Sequence, residues 1–289
     1  MTEAPAPPFT PSIATARMAD GTILRTLHWP APDDPWATAL VVHGVGEHGG
    51  RYANVARPLV AAGVDVNSYD QRGFGGSAGP RAYVERWSDF HDDLQERLTS
   101  LRESDPDRPF ILYGHSLGGL IATGYVLSER PRPVPDLLVL SSPALEDAIP
   151  AWKRSMAGGL VRVVPRMKMS NGGMGDELSH DPAISAAYVN DPLCLDSSTV
   201  RLGYEAFAEQ ARLRVAIDAR EAMPMPTYVF HGTADRIVPV SASEAIGRKG
   251  NVTRVVYKDL RHETHHEFAH EDVLAGVVGW LEGQRSARV

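Results

Sequence analysis

The stretch Pro109-Phe-Ile-Leu-Tyr-Gly-His-Ser-Leu-Gly-Gly-Leu120 decides the fold. Its first half is an apolar run short enough for a buried strand. Its second half opens Leu120-Ile-Ala-Thr-Gly-Tyr-Val-Leu127, which is long enough for a helix. Between them stands G-x-S-x-G, at Gly114-His115-Ser116-Leu117-Gly118. A strand that turns sharply into a helix at a serine forces that serine into a strained backbone, and small neighbours let strand and helix approach. Ser116 Oγ is then expected above the sheet, over the positive end of the helix. A bare G-x-S-x-G is common by chance, and here the flanking strand and helix give it weight.

Working outward, short apolar runs alternate with helical patterns. Ile23–His28, Ala39–Val42, Val64–Tyr69, Phe110–Tyr113, Asp136–Leu140, Thr227–Phe230 and Thr253–Tyr257 read as strands. Arg51–Ala62, a stretch from a Ser88 cap to about Glu103, and Glu267–Gly283 read as helices. Alternation of this kind predicts an α/β fold with a mostly parallel sheet covered on both faces. The stretch 144–222 breaks it. The region between Leu140 and Thr227 that holds this stretch has no strand pattern, is too long for a loop, and is broken at Pro150, Pro165, Gly172-Gly173 and Pro224. We read 1–143 as the first part of the sheet domain with a loose Pro/Ala-rich tail, 144–222 as an inserted helical cap, and 223–289 as the second part of the sheet domain. Ligands in open α/β sheets sit beyond the carboxyl ends of the strands, so the cap is expected to roof the site.

The chain has 289 residues, 43% of them hydrophobic, which suits one large domain with an insertion. Its formal charge of −7 speaks against nucleic acid as a partner. The single cysteine, Cys194, excludes an internal disulfide and suits a reducing compartment; we read it as buried packing. Met1–Pro8 has neither a basic region nor an apolar stretch, and no run approaches the roughly 20 apolar residues of a membrane span. The expectation is a cytoplasmic protein. Nothing in the sequence speaks to oligomeric state.

A serine hydroxyl is a weak nucleophile that needs a base, and the base needs an orienting acid. Asp235, in Phe230-His-Gly-Thr-Ala-Asp235, falls just past one strand, and His262, in Lys258-Asp-Leu-Arg-His262, just past the last. Both therefore meet Ser116 at one edge of the sheet. Asp235 is the expected orienter, with Glu146 as fallback, and His262 the expected base, with His265 and His266 as competitors. His43, His115 and His231 sit inside tight backbone motifs and read as structural. Two backbone N–H groups must face the developing oxyanion. Leu117, after the nucleophile, and Val45, in the loop His43-Gly-Val-Gly-Glu-His48, are the expected donors.

Five segments in order carry a family resemblance: His43–Tyr52, Tyr69-Asp-Gln-Arg-Gly-Phe-Gly-Gly-Ser77, Gly114–Gly119, His231–Asp235 and Leu260-Arg-His-Glu263. They resemble the monoacylglycerol lipase/lysophospholipase-like, or serine aminopeptidase-like, branch of the α/β-hydrolases. Ser179-His-Asp-Pro182 and Asn190-Asp-Pro-Leu193 extend the resemblance into the cap. The resemblance implies an α/β-hydrolase fold, a Ser116–Asp235–His262 triad with Val45 and Leu117 as oxyanion donors, no cofactor and no metal. It implies hydrolysis of small-molecule acyl esters such as monoacylglycerols or lysophospholipids through an acyl-enzyme. Amide or aminopeptidase cleavage, with Asp176 and Glu177 as partners for an amine, is the alternative on the same triad, as is acyl transfer to another alcohol.

Two further readings stay open here. His262-Glu-Thr-His-His266 matches H-E-x-x-H, so a zinc hydrolase on His262, Glu263 and His266 is a remote alternative. A catalytically silent binding fold is another. In the cap, Trp152, Met156, Leu160, Val163, Val164 and Met167 recur at helical spacing among Lys153, Arg154, Arg162, Arg166 and Lys168. The favoured reading packs that apolar face on the core. The other lets the cap touch a lipid surface transiently.

Overall fold

The computed structural model describes residues 9–171 and 175–288, with side chains of Ala151, Lys153 and Ser155 left out. The expected N-terminal tail at 1–8 and the Gly172-Gly173 break lie outside the described residues. Ten strands and nine α-helices follow in chain order among those residues. They are β1 (Ser12–Arg17), β2 (Ile23–Trp29), β3 (Ala37–Val42), α1 (Ala53–Ala61), β4 (Val64–Tyr69), α2 (Trp87–Ser104), β5 (Phe110–His115), α3 (Leu117–Val126) and β6 (Leu137–Ser141). Then come α4 (Ala151–Leu160), β7 (Lys168–Ser170), α5 (Gly175–Leu178), α6 (Pro182–Asn190), β8 (Ser197–Thr199) and α7 (Val200–Asp218). The chain closes with β9 (Thr227–Gly232), α8 (Glu244–Gly247), β10 (Val252–Tyr257) and α9 (His270–Ser286).

Eight strands form one sheet in the order β1-β2-β4-β3-β5-β6-β9-β10. From β4 to β10 every pair is parallel, and β1–β2 and β2–β4 are antiparallel. Strand β3 is buried along its whole length, as an apolar run between two helical layers must be. Its side chains alternate between the layers. Leu40 and Val42 join Phe90, Leu94, Ile121 and Leu213 from α2, α3 and α7. Ala39 and Val41 join Val55, Leu59, Val273 and Val277 from α1 and α9.

Three local readings need correction. Strand β1 was not expected; Ser12-Ile-Ala-Thr-Ala-Arg17 is an exposed edge strand, and its register against β2 supplies what apolar patterning does not. Ser88 does not cap α2. The cap is Arg86, whose N–H donates to Asp89 Oδ2 at 3.2 Å three residues into the helix. The last helix starts at His270, and Thr264–His266 form a separate 3₁₀ turn.

Among the described residues between β6 and β9 no strand joins the large sheet. The short β7 and β8 pair antiparallel with each other, a ribbon too brief to leave a sequence pattern. Helix α4 carries the expected apolar positions but does not bury them. Trp152 is 60% and Met156 53% exposed, and Val163, just beyond, is 79% exposed. The favoured packing of this face on the core is thus not what the fold builds. Helix α7 behaves oppositely. Leu202, Leu213 and Ile217 enter the core, and its polar side chains clasp core backbone. Glu205 accepts from Trp87 N at 3.0 Å, Gln210 donates to Ala144 O at 2.9 Å, and Arg212 donates to Leu127 O at 3.0 Å and Gly124 O at 3.2 Å.

Candidate active site

Ser116 directly follows β5 and caps α3 with φ 51° and ψ −116°. A non-glycine residue held there costs on the order of 1–3 kcal/mol, which surrounding packing must offset. The packing is tight because the neighbours lack side chains. A Cβ on Gly118 would collide with the carbonyl oxygens of Val42 and His43, and one on Gly44 would come within 3.2 Å of Ser116 Cβ. Hydrogen bonds fix the serine backbone as well. Ser116 N donates to Ser141 O, and Ser116 O accepts from Leu120 N and Ala144 N, each at 3.0 Å.

Asp235 and His262 stand on the loops after β9 and β10. His262 Nδ1 donates to Asp235 Oδ2 at 2.7 Å. His231 Nε2 donates to the same oxygen at 3.0 Å, and Ile237 N and Val238 N donate to Oδ1 at 2.9 Å each. Burial alone would push the Asp235 carboxyl up. The charge of His262 and the hydrogen bonds of His231 and His262 outweigh it and hold Asp235 far below the carboxylate range. Burial likewise opposes charging of His262, yet the Asp235 carboxylate wins and raises its pKa above the ordinary imidazole value. His262 Nε2 is buried and has no hydrogen-bond partner among the described residues. Such an orphaned atom is what a base awaiting a proton presents. Ser142, itself at φ 41°, donates through Oγ to His262 O at 2.9 Å and so pins the base loop.

The competing residues are engaged elsewhere. Glu146 is exposed and accepts from Ser241 Oγ. His265 stacks on Tyr52 with ring centroids 5.4 Å apart, and His266 Nδ1 donates to Glu263 Oε2 at 2.7 Å. His43 accepts from Gln71 N through Nε2 and donates to Gly44 O through Nδ1. His115 donates through Nδ1 to Ser141 O, and burial lowers its pKa to about 4. The zinc alternative is overturned by these partners. His262 and Glu263–His266 serve different carboxylate and guanidinium neighbours on a loop and 3₁₀ turn, not one helix face. The metal-capable groupings among the described residues include neither histidine. One of those groupings, Glu47, His115 and Glu263, is already bridged by Arg51. In the other, His48 Nδ1 accepts from Gly50 N, so its Nε2 carries the proton that Asp191 accepts and cannot ligate an ion.

Three features escaped the sequence reading. Arg51 joins Glu47 to Glu263 beneath the two loops that carry Val45 and His262. The segment 176–195 grips those loops from above: Leu195 N donates to Gly46 O at 2.7 Å, Glu263 N to Leu178 O at 2.8 Å, and Ser179 Oγ to His266 O at 2.9 Å. Cys194 is only half-buried; it lines a cavity of about 690 Å³ with Tyr188, Leu195, Asp176 and Asp196, and burial pushes its thiol up to about 12. No described helix is long and apolar enough to cross a membrane.

Known proteins match this geometry closely. The family model described as Serine aminopeptidase, S33 matches residues 33–269. A monoacylglycerol lipase of Mycolicibacterium smegmatis is 30% identical, over 88% of this chain and 90% of that protein. The human monoglyceride lipase is 28% identical, over 86% and 82%. Against an abhydrolase domain-containing protein of Dictyostelium discoideum, 29% identical, the chain spans only 29% of the relative's length. The crystal structure of a Paleococcus ferrophilus monoacylglycerol lipase superposes with a TM-score of 0.75 at 27% identity, covering 94% of this chain and 98% of that one. With the eight-stranded sheet and the serine turn, these matches are decisive: the chain belongs to the serine aminopeptidase family of α/β-hydrolases and is a serine ester hydrolase of its monoacylglycerol lipase-like branch.

Proposed function

We propose that the chain hydrolyses monoacylglycerol- or lysophospholipid-like esters through an acyl-enzyme on Ser116. Ser116 Oγ attacks the ester carbonyl as His262 Nε2 takes its proton. Asp235 keeps the imidazole in the Nδ1–H tautomer and stabilises the imidazolium. The N–H groups of Val45 and Leu117 receive the oxyanion. His262 then protonates the departing alcohol, and a water, deprotonated by the same base, releases the acid. The observation that carries this reading is the 2.7 Å Asp235–His262 pair, whose outer nitrogen is buried without a partner among the described residues, and whose imidazole lies 4.8 Å, centroid to centroid, from His115, the neighbour of the strained Ser116. The segment 144–222 is the roof of the site, with α7 its fixed root. The exposed Trp152, Met156, Val163 and Met169, near Arg162, Arg166 and Lys168, support transient contact with a lipid surface. The single, half-buried cysteine fits a reducing cytoplasm.

A panel of p-nitrophenyl esters and monoacylglycerols of graded chain length tests the reading, with Ser116→Ala as blank. Turnover and a fluorophosphonate adduct on Ser116 are expected in the parent and neither in the variant. Undiminished hydrolysis by a folded Ser116→Ala protein would end it. A second reading, cleavage of an aminoacyl amide, draws on Asp176 and Asp196 at the cavity wall, where a substrate ammonium would be welcome. Faster turnover of aminoacyl p-nitroanilides than of the esters would promote it.

A further inference from the structure

Below the site lies an ion cluster with almost no solvent contact. Arg51 Nη1 donates to Glu47 Oε2 and to Glu263 Oε1, each at 2.6 Å, and Nη2 donates to Glu263 Oε2 at 2.7 Å. The two carboxylate side chains are 3% and 2% exposed and the guanidinium 9%. No carboxylate oxygen is idle. Glu47 Oε1 accepts from Gly44 N at 2.5 Å and Tyr52 Oη at 2.6 Å, while Glu263 Oε2 also accepts from His266 Nδ1. Burying three charges is a poor way to gain stability, because desolvation offsets much of the attraction. A network that is nonetheless fully satisfied holds its members in one geometry.

The geometry held here is that of two loops. Glu263 directly follows His262. Glu47 takes up the Gly44 amide, which leaves Val45 as the next amide along the proposed oxyanion loop. We propose that Glu263 is a positioning residue: through Arg51 it fixes the loop of the base His262 against the loop of the oxyanion donor Val45. The proposal rests on the Ser116–Asp235–His262 reading. Base and oxyanion donor must both meet one tetrahedral centre, and a misplacement of about 1 Å can cost roughly 100-fold. Burial opposes ionisation of Glu263, but Arg51 and His266 hold its pKa well below the usual range, so it stays an anion wherever the enzyme works.

The test is Glu263→Gln in the full chain, assayed on a short p-nitrophenyl ester. The amide cannot hold the guanidinium fork, so kcat is expected to fall about 10- to 100-fold while KM stays within roughly threefold. A pH profile separates positioning from general damage. His262 faces Asp235, Glu263, Glu47 and His115, and only Glu263 loses its charge. With one anion fewer the His262 imidazolium is less favoured, so the acid limb must move to lower pH. Glu263→Asp, which keeps the charge, should restore the limb. If Glu263→Gln folds poorly by circular dichroism, the triple Glu47→Gln/Arg51→Met/Glu263→Leu replacement removes the three ions together and should show the same loss in kcat. A folded variant of either kind with kcat within twofold of the parent overturns the proposal. That result differs from a failed triad, which shows as activity surviving in Ser116→Ala.

Discussion

The two halves of the segment proposed to roof Ser116 are built differently. Residues 151–170 expose Trp152, Met156, Met167 and Met169, and their backbone bonds run to β8 and the start of α7, where Val200 N donates to Met167 O and Arg201 N to Pro165 O at 3.0 Å each, not to the loops of the site. Residues 175–195 instead donate and accept backbone hydrogen bonds with both loops of the site, and Tyr188 lies under the Arg51 guanidinium at 5.1 Å. On the function proposed above, the half that is tied to the loops serves the geometry of catalysis and the half that shows apolar surface serves encounter with substrate. Lumping both as a mobile lid would miss that division.

The largest effect sets the baseline for testing it. Ser116→Ala should lower kcat by about 10⁴-fold or more on any ester, soluble or dispersed. Next comes the tied half. Tyr188→Ala removes a 6% exposed ring and its hydrogen bond to Leu195 O; we expect a loss of about 3 kcal/mol in denaturant stability and roughly a tenfold fall in kcat on a soluble ester. Unchanged kcat in Tyr188→Ala would erase the distinction between the halves. The exposed half predicts a smaller and selective change. Trp152→Ser/Met156→Ser should keep kcat/KM on a soluble ester within about twofold, yet lose roughly three- to tenfold on substrate in anionic vesicles, with matching loss of co-sedimentation. Equal loss on both substrates would place this half with the other.

The smallest effect is a shift of a titration. The proposed mechanism needs His262 neutral, and its folded pKa is raised by Asp235 against the opposing effect of burial. Rate must therefore fall as pH drops through a value above the ordinary imidazole pKa of about 6.5. Asp235→Asn should move that limb down, at a large cost in kcat. The stability that Asp235 contributes falls in the same direction, at lower pH. Asp235 has a depressed folded pKa, so its contribution is present above the unfolded carboxylate pKa near 4 and is lost as pH falls below it.

The parts legible in the sequence were those with short-range signatures. Apolar runs such as Ala39–Val42 mark strands buried on both faces, and Gly114–Gly118 marks a turn that only small residues permit. The places of Asp235 and His262 were legible because each follows a strand, β9 and β10, and the fold brings the two side chains to 2.7 Å of each other. What escaped notice joins distant residues. Arg51 and Glu263 are far apart in the chain, and charged side chains read as a solvated face until the fold buries them together. His262–His266 misled for the converse reason. H-E-x-x-H spacing has metal-binding meaning only on a helix, and here it spans a loop and a single 3₁₀ turn. The ribbon β7–β8 and the edge strand β1 were invisible because three-residue and solvent-exposed strands carry no apolar period.

Helix α7 carries a consequence for protein engineering. Its side chains terminate α3, the helix that begins at the nucleophile, and hold Ala144, whose N–H in turn braces Ser116 O. A chimaera that borrows the roof of a relative to change acyl preference should therefore cross over before Thr199, leaving α7 native. A crossover after Asp218 would import a foreign brace for the serine itself, and would confuse a change in preference with a damaged nucleophile.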